Sequence, residues 1–323
     1  MTVAAVIPHW NRIDLLKALA ASLRAQTRPF EEWIVADNGS SDGSAEFAEQ
    51  AGGRVLRLGR NLGFAAAVNR GIEATRADLI AILNNDITLD SSWLEKMLQG
   101  IGGTSFASGK ILRAGDPRVI DGTFDEISRA ACPWRCGSGK PDSALWSKPR
   151  PVRFVSMTAA LFRRALFEEA GLLDESFGSY LEDVDFGLRC AAIGRTGMYV
   201  PEAVALHCGS ATLGAWNSDT VFQISRNQVL LAAKHFRGES SWPIVAGQLL
   251  WGTLALRHAT GLAWVRGKLA GLRLARTVRG DHIGAKRDRL HIAIEASEQT
   301  ILEVQRQTGF DWYWRAYFCL LRR

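Results

Sequence analysis

The residues best suited to chemistry fall in four short stretches. Asn84-Asn85-Asp86 sets one carboxylate beside two carboxamides, hard oxygen ligands of the kind Mg2+ or Mn2+ prefers. The same triplet is also a favoured turn sequence. Glu182, Asp183 and Asp185 crowd three acids into four positions at the start of an apolar helical pattern. A helix dipole favours acids there, yet three so close repel more than capping requires. A site that needs a carboxylate base would account for the excess. Asp37-Asn38-Gly39-Ser40-Ser41-Asp42-Gly43-Ser44 is a polar loop opening onto a helix. Its N–H groups could hold a nucleotide, and its acid could accept from a base or ribose hydroxyl; a solvated turn would read the same way. His207 ends an apolar run, either as a ligand or as a packing residue.

These stretches need elements to hold them. Leu79 to Leu83 is apolar without a break, too uniform for one face to meet water. It predicts a buried parallel strand whose carboxyl end delivers Asn84-Asn85-Asp86, the place where open α/β sheets bind ligands. Residues 3–7, 33–36 and 55–58 predict three more strands, each leading through a polar loop toward a helix. The stretch 59–71 is a glycine-flanked turn into an alanine-rich helix, with Arg60 and Arg70 available to phosphates. Four such units in about 100 residues predict a doubly wound nucleotide-binding sheet. Neither G-x-G-x-x-G nor G-x-x-x-x-G-K-[ST] follows the first strand, which counts against dehydrogenase and P-loop readings. Residues 100–150 are rich in Gly, Pro and Ser, with Trp134 and Trp146 in an apparent insertion. Strand character returns over 153–162, and a helix over 163–170 closes at Gly171.

Composition excludes global disorder, with 47% apolar residues in 323. The net charge of +6 is lopsided: from Lys234 onward fifteen Lys/Arg face seven Asp/Glu, whereas the first 233 residues carry 24 against 26. The basic tail suits a membrane surface or an anionic partner. Residues 242–256 carry no charge but fall short of the about twenty needed to span a bilayer. Residues 265–279 mix leucines with Arg266, Lys268, Arg273, Arg276 and Arg279, a pattern of an interfacial helix or of a helix packing on the catalytic domain or a second subunit. The aromatics of 310–318, with Arg322 and Arg323, resemble interfacial anchors. Five cysteines and no signal-peptide pattern predict free thiols in a reducing cytoplasm, and Cys132 and Cys136 without a second pair predict a loop rather than a metal clip.

In order along the chain, Pro8…Asn11, Asp37 to Ser44, Asn61-Leu62-Gly63-Phe64…Asn69-Arg70-Gly71, Asn84-Asn85-Asp86, Glu182-Asp183-Val184-Asp185 and His207-Cys208-Gly209-Ser210 resemble family 2 glycosyltransferases of the GT-A fold. The likeness is greatest to the rhamnosyltransferase branch. It implies an α/β fold with a GT-A nucleotide-binding, mostly parallel sheet flanked by helices over 1–236, and a basic helical C-terminal region over 237–323. Residues 1–99 would bind the nucleotide-sugar and 100–236 the acceptor. The resemblance further implies that Asp37 contacts the base, with Pro8 and Asn11 nearby. Asn61, Gly63, Asn69, Asn84 and Asn85 would line the donor site. Asp86, with His207, would hold Mn2+ or Mg2+ on the diphosphate, and Asp183, paired with Glu182, would deprotonate the acceptor. Where relatives carry the first acid of a D-x-D motif this chain has Asn84. The implied partners are a nucleotide-sugar, a glycan or lipid-linked glycan acceptor, a membrane surface and a second copy of the chain, with no nucleic acid. The expected location is cytoplasmic, peripheral at the inner face of the cell membrane. A non-catalytic nucleotide-sugar-binding scaffold and a nucleotidyltransferase are the alternative uses of such a sheet.

Overall fold

All seven residues of Val3–His9 (β1) are buried, as only a strand covered on both faces can be. The computed structural model describes residues 1–209, 216–237, 240–278 and 284–321; Ser210, Arg279, Arg322 and Arg323 lie outside them. After β1 come α1 (Ile13–Arg24), β2 (Glu32–Asp37), α2 (Ser44–Gln50), β3 (Arg54–Arg57), α3 (Phe64–Ala74) and β4 (Leu79–Leu83). Strands β3, β2, β1 and β4 pair in parallel in that spatial order. The chain therefore winds outward from β1 to β3, then returns to the other side of β1. That reversal leaves a crevice at the carboxyl ends of β1 and β4.

The chain continues through β5 (Ile87–Leu89), α4 (Trp93–Ile101), β6 (Phe106–Arg113) and β7 (Asp116–Gly122), then β8 (Asp125–Ile127) and β9 (Pro133–Arg135), described below. β10 (Arg150–Val152), β11 (Ala159–Arg163), α5 (Arg164–Ala170), α6 (Glu182–Ala192) and β12 (Gly197–His207) complete the first unit's main elements. The full sheet has ten strands, ordered β10-β12-β6-β11-β4-β1-β2-β3, with β5 on β12 and β7 on β6. Its second half is mixed, because β11 enters antiparallel between β4 and β6. The strand expected over 153–162 begins only at Ala159. Before it the Ser156 and Thr158 hydroxyls bond each other at 2.8 Å, and Asn84 N–H donates to the Thr158 carbonyl at 2.9 Å.

The core follows from the two-residue period of the strands. Val3, Ala5 and Ile7 of β1 and Leu79, Ala81 and Leu83 of β4 share one face, against Leu16 and Leu19 of α1 and Trp93 and Met97 of α4. The opposite face is aromatic toward the second half, where Phe162, Phe167 and Phe186 pack with ring centroids 5.1–6.1 Å apart. Each such side chain contributes about 1.5–3 kcal/mol by burial.

A second compact unit gathers Leu213–Arg323 with Asp125–Cys136 and Ala191–Gly194. It holds the β8–β9 hairpin, α7 (Ser218–His235), α8 (Ser241–Arg257), α9 (Gly261–Leu274), α10 (Ala285–Thr308) and α11 (Trp312–Leu320). Cys132 and Cys136 flank β9, both buried and neither in a disulfide. The reading of 310–318 as surface anchors does not hold for most of its aromatics. Tyr313, Trp314, Tyr317 and Phe318 are buried with Ile301 and Leu302 of α10, and Tyr317 donates to the fully buried Glu298 at 2.8 Å. Spaced three and four apart, they form the inner face of a helix.

Candidate active site

The carboxyl ends of the parallel strands bring the loops 8–11, 37–44 and 61–63 together. Pro8 lies beside Ala36 and His9 beside Asp37 across the β1–β2 pair. Past the strand ends the loops are zipped: Asn11 N–H donates to Ser40 Oγ (2.8 Å), Ser41 N–H to Asn11 Oδ1 (3.0 Å) and Ile13 N–H to Asp42 Oδ2 (2.8 Å). Asp37 is buried and accepts the Ser40 N–H at 3.2 Å. Asn38, absent from the sequence-based set, ties this loop to the next. It accepts from Leu62 N–H at 3.1 Å and donates to the Gly63 carbonyl at 3.3 Å.

The loop before α3 is fastened in turn to the loop before α6. Gly63 has φ +90°, and a Cβ there would stand 2.9 Å from the Gly178 carbonyl oxygen, so only glycine fits. Gly63 N–H donates to the exposed Asn61 side chain (2.9 Å), Phe64 N–H to Ser179 Oγ (3.1 Å) and Ala65 N–H to Gly178 O (2.9 Å). These first N–H groups of α3 are therefore engaged within the protein and do not form an anion cradle. Asn69 is likewise buried and bonded at both ends of its carboxamide, donating to Leu173 O and accepting from Leu173 N–H, each at 2.9 Å. It acts as a clamp between α3 and the 173–175 segment.

The metal-like stretch ends β4. Pairing of β5 with β12 sets His207 opposite Ile87, next to Asp86. His207 Nε2 is 3.2 Å from Asp86 Oδ1, and its Nδ1 is 2.8 Å from Asp121 Oδ2. Burial alone would lower the imidazole pKa, but hydrogen bonds to Asp121 and Asp86 and their charges push it up to about 9. Asp121, from β7, was missed because a single acid in an irregular stretch carries no sequence signal. Asn85 Nδ2 donates to His9 Nδ1 at 2.9 Å, which leaves the His9 proton on a buried Nε2 that has no partner among the described residues. Burial, opposed by Asp37 and Asp42, lowers the His9 pKa to about 4, so His9 is neutral. Asn84 Oδ1 is also buried with no partner among the described residues.

This donor set fits a Mg2+- or Mn2+-type cation. Asp86 supplies a carboxylate and Asn84 an unsatisfied carboxamide oxygen two residues away, and His207 would add its Nε2 only once the cation displaces the proton now shared with Asp86. Such ions usually retain waters and take substrate phosphates rather than sit in an all-protein cage, so few protein ligands suffice. Among the described residues, no group of three or more His, Cys, Asp and Glu is placed to hold a metal ion by itself.

The three acids of α6 have three different environments. Asp185 is fully buried and paired with Arg189 at 3.0 Å, and Arg189 also donates to the carbonyls of Ala170, Gly171 and Leu172. Glu182 is buried, with Oε2 unpartnered among the described residues. Burial, then the charges of Asp183 and Asp185, raise its pKa well above the usual carboxylate range. Asp183 is half-buried and accepts the Val184 N–H at 2.8 Å. Just before them Tyr180 and Leu181 hold φ +69° and +68°. Of six non-glycine residues with positive φ among the described residues, four lie in this turn and at Asn11-Arg12. Each costs about 1–3 kcal/mol, and such strain concentrates at functional sites.

Residues 4–171 match the model of the family described as Glycosyl transferase family 2, which is over half of the chain. The chain belongs to glycosyltransferase family 2. The enzyme is 28% identical over 278 residues to the N-acetylglucosaminyl-diphospho-decaprenol L-rhamnosyltransferase of Mycobacterium tuberculosis, covering 77% of this chain and 87% of that one. It is 26% identical to the pre-mycofactocin glycosyltransferase of the same organism, covering 86% and 58%. Among solved structures, GalNAc-T7 with UDP, GalNAc and Mn2+ aligns with TM-score 0.65 at 14% identity, over 96% of this chain and 58% of that one. The mannosyltransferase PcManGT from Pyrobaculum calidifontis, with GDP-Man and Mn2+, aligns at 0.53 and 16%, over 98% and 85%. At such identities these neighbours establish the shared GT-A fold of this glycosyltransferase.

Proposed function

We propose that the enzyme transfers a single sugar, with L-rhamnose or a similar hexose on a nucleoside diphosphate as donor, to a hydroxyl of a glycan. The acceptor is lipid-linked or destined for the cell surface, and the anomeric configuration inverts. The observation that carries this reading is Asp86, beside His207 and the unsatisfied Asn84 oxygen, at the mouth of a crevice whose other wall is the Asp37 loop. The likeness to a rhamnosyltransferase across most of both chains supports the sugar class.

In this reading Asp37 accepts from the nucleotide base or ribose, and the zipped loops of Asn11 and Ser40 hold it in place. Asp86, Asn84 and His207 would hold the divalent cation, which supplies Lewis-acid neutralisation of the departing diphosphate. Asp183, at the start of α6, takes the proton from the acceptor hydroxyl as it attacks the anomeric carbon from the face opposite the leaving group. The raised pKa of buried Glu182 disfavours a second negative charge beside that base. Nearby carboxylate charge also stabilises the oxocarbenium character of the sugar.

The test is transfer from dTDP-rhamnose, UDP-sugars and GDP-sugars to a polyprenyl-diphosphate-linked N-acetylglucosamine, with Mn2+, with Mg2+ and with chelator. Cation-dependent transfer from one donor class is expected. Donor binding without transfer would favour a scaffold role, and pyrophosphate release from a nucleoside triphosphate would favour a nucleotidyltransferase.

A further inference from the structure

Helices α8 and α9 are inside out relative to an ordinary water-facing helix. On α9, Leu262, Val265, Leu269 and Leu272 recur at three- and four-residue spacing and are 42–73% exposed. The inner face is made of Gly261, Ala263, Gly267 and Gly271. That face is pressed onto α7: a Cβ at Gly267 would lie 2.4 Å from the Phe222 carbonyl oxygen, and one at Gly271 2.6 Å from that of Arg226. Backbones this close leave large side chains only the outer side. Helix α8 repeats the arrangement. Trp242, Val245, Leu249 and Leu256 are 48–67% exposed, while Ala246, Gly247, Gly252 and Ala255 are buried. Small residues inward and large apolar residues outward is the way helices pack when their outer solvent is lipid. Among the described residues no helix is long and apolar enough to cross a membrane, so the pair suits the interface rather than the interior.

Charge selects the occupant. Residues 240–280 contain six Lys/Arg and no Asp or Glu. Arg273 follows Leu269 by four positions, so its exposed guanidinium shares the face with the leucines, and Arg276 is exposed in the turn just past the helix. Arg266 is exposed two turns before Arg273. Lys268 instead points inward, donating to Gln228 Oε1 (2.7 Å) and Gln248 Oε1 (2.9 Å), which ties α9 to α7 and α8. A two-fold contact between copies of this face would set arginine against arginine with no carboxylate from the stretch to separate them. Anionic lipid headgroups meet the cations while the leucines enter the acyl boundary.

We propose that the outer face of α8 and α9 docks this chain onto an anionic bilayer surface. This goes beyond the sugar-transfer reading and does not depend on it. The test is sedimentation of the full chain with extruded vesicles of phosphatidylglycerol and phosphatidylcholine, or of phosphatidylcholine alone, at low and physiological salt. Wild type should pellet with the anionic vesicles and weaken as salt rises. Leu269→Ser with Leu272→Ser should lower the vesicle partition coefficient at least tenfold. Arg266→Gln with Arg273→Gln should lower it about tenfold or more on anionic vesicles and far less on neutral ones. Far-UV circular dichroism should remain unchanged in both, since all four side chains are exposed. Equal recovery of wild type and the leucine variant would overturn the proposal. So would a dimer in analytical ultracentrifugation that the leucine substitutions dissolve without altering vesicle binding.

Discussion

Two acid clusters, one at the β4 end and one at the start of α6, solve the same electrostatic problem in opposite ways. At β4, Asp86 and Asp121 share His207, whose ring stands between them and carries a proton that a cation bound at Asp86 would displace from Nε2. At α6, Asp185 takes a fixed arginine, the pKa of buried Glu182 is raised so that it resists ionisation, and Asp183 faces outward in part. The first cluster gathers negative charge around one position, which suits a cation. The second disperses it until one accessible carboxylate is left, which suits a base. Residue types alone do not separate these outcomes; burial and the available counter-charge do.

The comparison breaks most sharply at Asp183. If it is the one working base, Asp183→Asn should lower transfer by about 10²–10⁴-fold while donor binding by calorimetry stays within a few-fold. Transfer that persists undiminished would move the base elsewhere and leave the α6 cluster without a chemical role.

A smaller effect is expected at Asp121, which acts through His207. Asp121→Asn should raise the Mn2+ concentration for half-maximal transfer by about 10–100-fold, with rates recovering at high Mn2+. A lower rate at every Mn2+ concentration with an unchanged midpoint would mean that Asp121 supports the fold and does not position the histidine.

The sequence exposes these two clusters unequally. Leu79 to Leu83 announces its strand, and the polar triplet behind it therefore announces a strand end. The polar loops at Asp37 and Gly63 are legible for the same reason, since each interrupts a strongly periodic pattern. What cannot be read is which polar group meets which. Asp121 reaches His207 only because β6 and β7 form a hairpin within a stretch that looks irregular, and β12 aligns with β5 across more than a hundred residues. Asn69 and Asn61 both look like ligands in the sequence. Tertiary packing turns the first into a buried clamp and leaves the second exposed. The terminal aromatics misled for a related reason. Cations and aromatics also mix on a helix whose inner face is core, and only packing partners tell that face from an anchor.

Glu182 gives the smallest and most diagnostic effect. A buried carboxyl whose pKa is raised loses little when replaced by its neutral isostere, so Glu182→Gln should change transfer at neutral pH by no more than a few-fold. Stability should respond instead, in a direction fixed by the raised pKa. Below the unfolded-state pKa of about 4.3 both folded and unfolded wild type hold the proton, and the variant gains nothing. As pH rises from there toward the elevated folded value, the unfolded chain releases its proton first, and wild type becomes progressively less stable. Glu182→Gln removes that loss, so its advantage over wild type in urea unfolding should be absent near pH 4, grow as pH is raised toward 8 and level off once the folded pKa is passed. A constant difference across that range would mean Glu182 is ionised in the fold. The α6 cluster would then hold two working carboxylates, and the contrast with the β4 cluster would collapse.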